Sequence, residues 1–215
     1  MLLLAMAATM QHQSKTKLLD AAMHVIRAKG YAATTVDDIC LAAGVTKGSF
    51  FHHFASKDEL AVATVEHFSA KTDEFFASAP YHQAADPLAR LQGYIAFRSD
   101  ILTGELPQFT CLLGTLVQET YDSHPAIRAA CDRGMSSHIA ALTRDVALAK
   151  QLYAPRAKWT VESVGYFIQA VLQGAFIFAK AKQNTQVARA SLAHLQRYLA
   201  VLFQPVQRHQ RKEKK

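Results

Sequence analysis

Apolar positions recur at helical spacing along most of the chain, and no segment alternates with period two for long enough to be a strand. Over residues 14–29, Leu18, Ala22, Val25 and Ile26 share one face, and Gly30 follows as a left-handed stop. Thr35, with Asp38 three residues on, opens a short helix as a capping-box variant, and Gly44 ends it. Thr46 caps a second short helix that runs to Phe54. Ser56, with Glu59 at the capping-box position, opens a longer one from Lys57 to about Ala79, which Pro80 stops.

Asp86-Pro87 then opens a helix over 88–103, ended by Gly104 and Pro107. Further helices are predicted over 110–121, from His124-Pro125 to about Leu152, over 158–182, and over 186–203 before Pro205. The pattern is that of an all-α protein of about nine helices.

Composition agrees. Half of the 215 residues are apolar and 19% are charged, which suits a globular protein, and nine Gly and six Pro are too few for a turn-rich all-β chain. Three cysteines make no disulfide framework and point to a reducing cytoplasm. No uninterrupted run of 18 apolar residues occurs, so no membrane association is expected. Residues 1–13 read as a disordered extension, or as a mis-called start with Met10 as initiator; as a leader they lack a positive n-region. The 24 Lys+Arg exceed the 17 Asp+Glu by 7, a balance that suits a polyanionic partner. Most of the excess is in the tail 204–215, expected to be disordered, where Arg208, Arg211, Lys212, Lys214 and Lys215 face only Glu213. The excess therefore does not mark a DNA-reading surface.

The sharper signal is the spacing over 35–54, two short helices joined by a tight turn at Ala42-Ala43-Gly44-Val45. It fits a helix-turn-helix with Ile39 and Val45 facing inward and Gly44 at positive φ. The second helix would enter a major groove. It carries Thr46 and Ser49 hydroxyls, the Lys47 cation, Gly48 for close approach and His52; Lys57 starts the next helix, where phosphate binds readily. Phe50 and Phe54 read as core.

The stretch GYAATTVDDICLAAGVTKGSFFHHFASKDEL resembles the DNA-binding domain of TetR-family transcriptional regulators, most densely from Lys15 to Leu60. The resemblance implies an Ω-shaped homodimer, with a DNA-binding domain over 14–60 and a helical ligand-binding and dimerisation domain over 61–203. It implies DNA contacts at Thr35, Thr46, Lys47, Gly48, Ser49, Phe51, His52 and Lys57. The family often has Tyr where this chain has Phe51, which lacks a hydroxyl for phosphate.

In the C-terminal part, the helix over 158–182 is apolar nearly all round and must be covered on most sides. Its Val161, Val164, Ile168, Val171, Leu172 and Ala175, with Leu192, Leu195, Leu199 and Leu202 of the last helix, are the predicted dimer seam. Ligand-binding candidates are Phe97, Arg98, Cys111, Gln118, Tyr121, Trp159, Tyr166 and Phe167. Cys40 reads as core filler. Cys111, near a helix start, is a candidate for oxidant or electrophile sensing, with Cys131 as a conceivable resolving partner.

No enzyme, metal or cofactor signature is found: no H-E-x-x-H, P-loop, G-x-G-x-x-G or G-x-S-x-G. The expected function is a repressor that binds a palindromic operator in double-stranded DNA and is released by a small-molecule effector. The alternatives are a repressor switched at Cys111, a helical small-molecule-binding protein without DNA function, and an enzyme on an all-α fold.

Overall fold

The computed structural model describes residues 2–204, with side chains from residue 13 onward. Its ten α-helices are α1 (Leu2–Lys29), α2 (Val36–Ala43), α3 (Lys47–His53), α4 (Lys57–Ala77), α5 (Pro87–Asp100), α6 (Leu106–Phe109), α7 (Leu112–Thr120), α8 (Pro125–Tyr153), α9 (Val161–Lys182) and α10 (Gln186–Leu202). A single 3-10 turn, Pro80–Gln83, links α4 to α5. No strand occurs among the described residues.

The local signals place most helix starts. Thr35 and Asp38 form a reciprocal capping box, and Gly44 closes α2 at φ 62°. The hydroxyls of Thr46, Ser56 and Thr160 accept backbone N–H bonds at the starts of α3, α4 and α9. Three expectations change. Helix α1 begins at Leu2 rather than residue 14, because 2–13 contains no Gly or Pro and is rich in Leu, Ala, Met and Gln. Pro107 opens the short α6 as a first-turn proline instead of only ending what precedes it. Helix α9 starts at Val161, leaving Trp159 outside it. The tail prediction for 205–215 lies outside the described residues.

Two apolar clusters hold the chain together. The first joins α1–α4, through Leu18, Ile26, Ile39, Phe50 and Leu60, to Leu112, Leu116, Ile127 and Cys131 of α7 and α8. The helix-turn-helix therefore has no separate core, and α4 runs through the 60/61 boundary unbroken. The second cluster unites α5, the later part of α8, α9 and α10 around Leu91, Ile95, Val146, Ile168 and Leu172. Close approach of α8 and α9 depends on Gly165, where a Cβ would lie 2.5 Å from Thr143 Cγ2.

Most residues of the predicted seam face inward. Val164, Ile168, Leu172, Ala175, Leu192, Leu195 and Leu199 are buried in the subunit's own core, and Val161, Val171 and Leu202 pack against it. The outward apolar face instead presents Tyr166, Phe167, Ile177 and Phe178 of α9 with Tyr198 and Val201 of α10. A helix apolar on two sides does not reveal by periodicity which side meets the core. By length and composition α9 is also apolar enough to cross a bilayer, although it lacks an uninterrupted apolar run.

Candidate nucleic-acid interface and regulatory cavity

The start of α3 is an open polar edge. Thr46 Oγ1 accepts from Ser49 N at 3.2 Å. Lys47 projects beside it, its Nζ 2.8 Å from Asp37 Oδ1, with both side chains mostly exposed; Asp37 raises the lysine's pKa, so it is a cation at neutral pH. A Cβ on Gly48 would meet only Thr46 Oγ1, at 3.7 Å, so nothing within the protein requires glycine there. Ser49 is half-buried and His52 exposed. Phe51 is 59% exposed and stands edge-on to the buried Phe50. Phe50 and Phe54 are core, as their spacing predicts.

Thr35 sits at the other edge. Its hydroxyl donates to Asp38 Oδ2 at 2.6 Å, and Lys29 Nζ approaches the same oxygen at 2.6 Å. Lys29, then Thr35, hold the Asp38 carboxyl well below the usual carboxylate range. Lys57 is placed differently from the sequence expectation. Its Nζ donates to Tyr31 O at 3.1 Å and Thr34 O at 3.0 Å, and lies 4.1 Å from the Tyr31 ring centre. These bonds tie it to the turn after α1, with partners 26 and 23 residues away that local spacing could not reveal.

That turn is also where the two halves of the protein meet. Glu119 of α7 accepts from Tyr31 N at 3.1 Å and Ala32 N at 2.8 Å. The Tyr31 hydroxyl donates to Asp58, and burial followed by this bond pushes its pKa up. His124 stands edge-on to the same ring.

Behind α1 lies a cavity of about 730 Å³. Its walls include Phe68, Phe75 and Phe76 of α4, Arg98 of α5, Phe109 of α6, Met135 and His138 of α8, and Gln169 and Gln173 of α9. Arg27 of α1 closes one side, donating to Gln108 O at 3.2 Å and Thr110 O at 3.4 Å. Burial, then Arg98, pushes His138 down to about 4, so it is neutral at pH 7. Tyr94 links His138 (3.0 Å) and Gln169 (3.1 Å) through its hydroxyl. A smaller cavity of about 390 Å³ adjoins, lined by Arg27, Gln118, Glu119 and Lys180. Cys111 caps α7, its Sγ accepting from Gly114 N at 3.4 Å, and lines both cavities.

Of the predicted ligand residues, Arg98 and Cys111 line the larger cavity and Gln118 the smaller. Phe97 packs behind the lining on Phe75 and Phe76. Tyr121 is exposed at the end of α7, Trp159 packs on Phe203, and Tyr166 and Phe167 belong to the outward face, Phe167 against Tyr198. An aromatic side chain in an apolar stretch suits core, cavity or interface equally, so composition could not sort them. Phe75, Phe76, His138, Gln169 and Gln173 were not anticipated; Gln169 and Gln173, one helical turn apart in an otherwise apolar helix, were the available signal. Burial pushes the Cys131 thiol up to about 12, which leaves it a poor source of thiolate.

Comparison with known proteins agrees with this architecture. A family model described as "Bacterial regulatory proteins, tetR family" matches residues 18–64. A second, "Transcriptional regulator LmrA/YxaF-like, C-terminal domain", matches residues 87–194. The HTH-type transcriptional repressor DhaR of Mycobacterium sp. strain GP1 is 25% identical over 187 residues, 87% of this chain and 89% of its own. The HTH-type transcriptional repressor NemR of Escherichia coli is 25% identical over 201 residues, 88% of this chain and 96% of its own. Among solved structures, the regulatory protein TetR from Rhodobacter sphaeroides superposes with TM-score 0.76 at 23% identity, covering 87% of this chain and 97% of that one. Reduced E. coli NemR gives TM-score 0.71 at 22% identity, covering 85% and 95%. The chain belongs to the TetR family of bacterial regulatory proteins.

Proposed function

We propose that this protein is a dimeric repressor in the cytoplasm, without enzymatic activity, that leaves a palindromic operator when a small molecule fills the 730 Å³ cavity. The observation that carries this reading is the continuity of one helix. Helix α1 lines the cavity with Met23 and Arg27, and its C-terminal turn at Tyr31 is bonded to Glu119 of α7 and Lys57 of α4. A change in cavity shape thus has a mechanical route to α3. Two α3 helices, one per subunit, would enter successive major grooves. Thr46, Lys47, Gly48 and Ser49 would face base edges and the groove wall, while Thr35, Phe51 and His52 would lie along the backbone. The effector can shift the equilibrium only by its differential affinity for the two spacings. Repressor relatives, DhaR and NemR among them, support the direction of control.

The test is footprinting on the DNA upstream of the protein's own coding region, with and without candidate effectors. Protection of two half-sites about one helical turn apart is expected. No protection, or a single unpaired half-site, counts against the reading.

Cys111 supports a second route to release, in which an electrophile or oxidant entering the cavity modifies its sulfur. It opens on both cavities, and Arg27 and Lys180 line the smaller beside it. A Cys111→Ser variant that still leaves DNA under oxidant would remove this route.

A further inference from the structure

The larger cavity contains one charge with no counterpart in the protein. Arg98 Nε is fully buried and lacks a hydrogen-bond partner. The guanidinium lies 5.1 Å from the Phe76 ring centre and 5.4 Å from that of Phe176. Ring faces attract a cation but do not satisfy its N–H donors. The other cations of the lining are occupied: Arg27 donates to the carbonyls of Met23, Gln108 and Thr110, and Lys71 to Asp20. Asp73 and Asp100 also reach the cavity, but both are solvent-exposed and neither makes an ion pair with Arg98. His138, held neutral beside Arg98, adds no charge to the site.

A buried guanidinium N–H among aromatic rings without an acceptor is an unfavourable arrangement in the empty cavity. It becomes favourable once an anion supplies the acceptors. We infer that the effector is an amphipathic monocarboxylate, its carboxylate on the Arg98 guanidinium and its hydrocarbon body against Phe68, Phe75, Phe109 and Met135. The planar fork of an arginine matches a carboxylate's two oxygens. Charge balance selects a monoanion, because a phosphate dianion against one free guanidinium would leave a net buried negative charge. The amides of Gln169 and Gln173 are placed for a further polar group on the ligand. The cavity's volume lies in the range that encloses a drug-sized molecule.

This inference rests on the ligand-responsive reading above, and the two fail separately. Decanoate, 4-biphenylcarboxylate, their primary amides and decyl phosphate are titrated calorimetrically into the full-length protein without DNA. At least one carboxylate is expected to bind roughly tenfold or more tightly than its amide and than decyl phosphate. Arg98→Gln and Arg98→Met should lose the preference for the anion without a large drop in melting temperature, since the cation removed has ring contacts but no hydrogen-bond or ion-pair partner in the protein. Equal binding of amides, failure of both carboxylates, tighter binding of decyl phosphate, or preference retained in both variants overturns the inference. So does a large drop in melting temperature in both variants, which would make Arg98 structural. Operator release is scored separately: carboxylate binding without release sinks the repressor mechanism alone, and release by the neutral amides sinks the inference alone.

Discussion

The carboxylate of Glu119 accepts the backbone N–H groups of both Tyr31 and Ala32, so one α7 side chain holds the turn that leads into the helix-turn-helix. Backbone donors paired to a carboxylate are stronger than neutral pairs, and no other acceptor is bonded to these two amides. Glu119→Ala should therefore speed hydrogen exchange at the amides of Tyr31 and Ala32 and lower stability by about 1 kcal/mol. The same variant should narrow the difference in operator affinity between effector-free and effector-bound protein. Unchanged exchange at both amides would show that this contact does not hold the turn.

Lys47 and Asp37 form an exposed pair at the reading edge, and exposed pairs contribute little to stability. Lys47→Ala should leave the melting temperature unchanged while weakening operator binding and reducing the salt slope by about one unit. Asp37→Asn should strengthen binding, because it removes an anion that both holds Lys47 and repels phosphate. Fluorescence anisotropy over a salt series reads both effects. Equal affinities across the three proteins would take Lys47 out of the interface.

Lys57 makes a contrasting case. Its two carbonyl bonds and its place on the Tyr31 ring predict a loss of about 1–3 kcal/mol in Lys57→Met, with the salt slope of DNA binding unchanged. Urea denaturation and the same salt series distinguish this from a phosphate contact, which would lower the slope and spare stability.

The contrast between Lys47 and Lys57 shows what the sequence made legible. Thr35, Gly44 and Thr46 announce the helix-turn-helix because caps and positive-φ turns act over three or four residues. Lys57 reads as a phosphate ligand from its local setting, a helix start that favours anions; the carbonyls its ammonium bonds come from the turn after α1. The cavity was legible at Arg98, Cys111 and Gln118, polar or small residues set in apolar stretches. Its aromatic walls come from helices far apart in sequence and match core residues in composition. Helix α9 was placed correctly as an element, yet both its sides are apolar, and only packing against α8 and α10 decided which side faced in.

His138 gives the protein an acid limit. Burial and Arg98 lower its pKa from 6.5 to about 4 in the folded state. Between these values the unfolded chain takes up a proton that the folded chain refuses, so stability rises with pH across that window. The contribution is complete above the unfolded value and should fall by about 2 kcal/mol between pH 7 and pH 5. His138→Gln should flatten this part of the stability profile, measured by urea denaturation at the two pH values. An identical pH dependence in the variant would show that the imidazole is not held neutral.

The outward apolar face of α9 and α10 is open to a second copy of the chain. Tyr166, Phe167, Ile177, Phe178, Tyr198 and Val201 are each at least 42% exposed and lie on two adjoining helices. A continuous apolar face of this kind is unfavourable in water and is covered in a two-fold dimer by the same face of a second copy. A charge on this face would be buried without a partner at both symmetry-related positions of the proposed dimer, so Phe178→Glu, at a residue 58% exposed, should shift the protein to monomer in size-exclusion chromatography with light scattering. Leu41→Glu, at a residue 84% exposed on α2, should leave the dimer intact. The monomeric variant should also lose operator affinity although every residue of α3 is unchanged, because two half-sites bound independently forgo the effective concentration that a linked pair supplies. A Phe178→Glu protein that remains dimeric would move the interface to another surface.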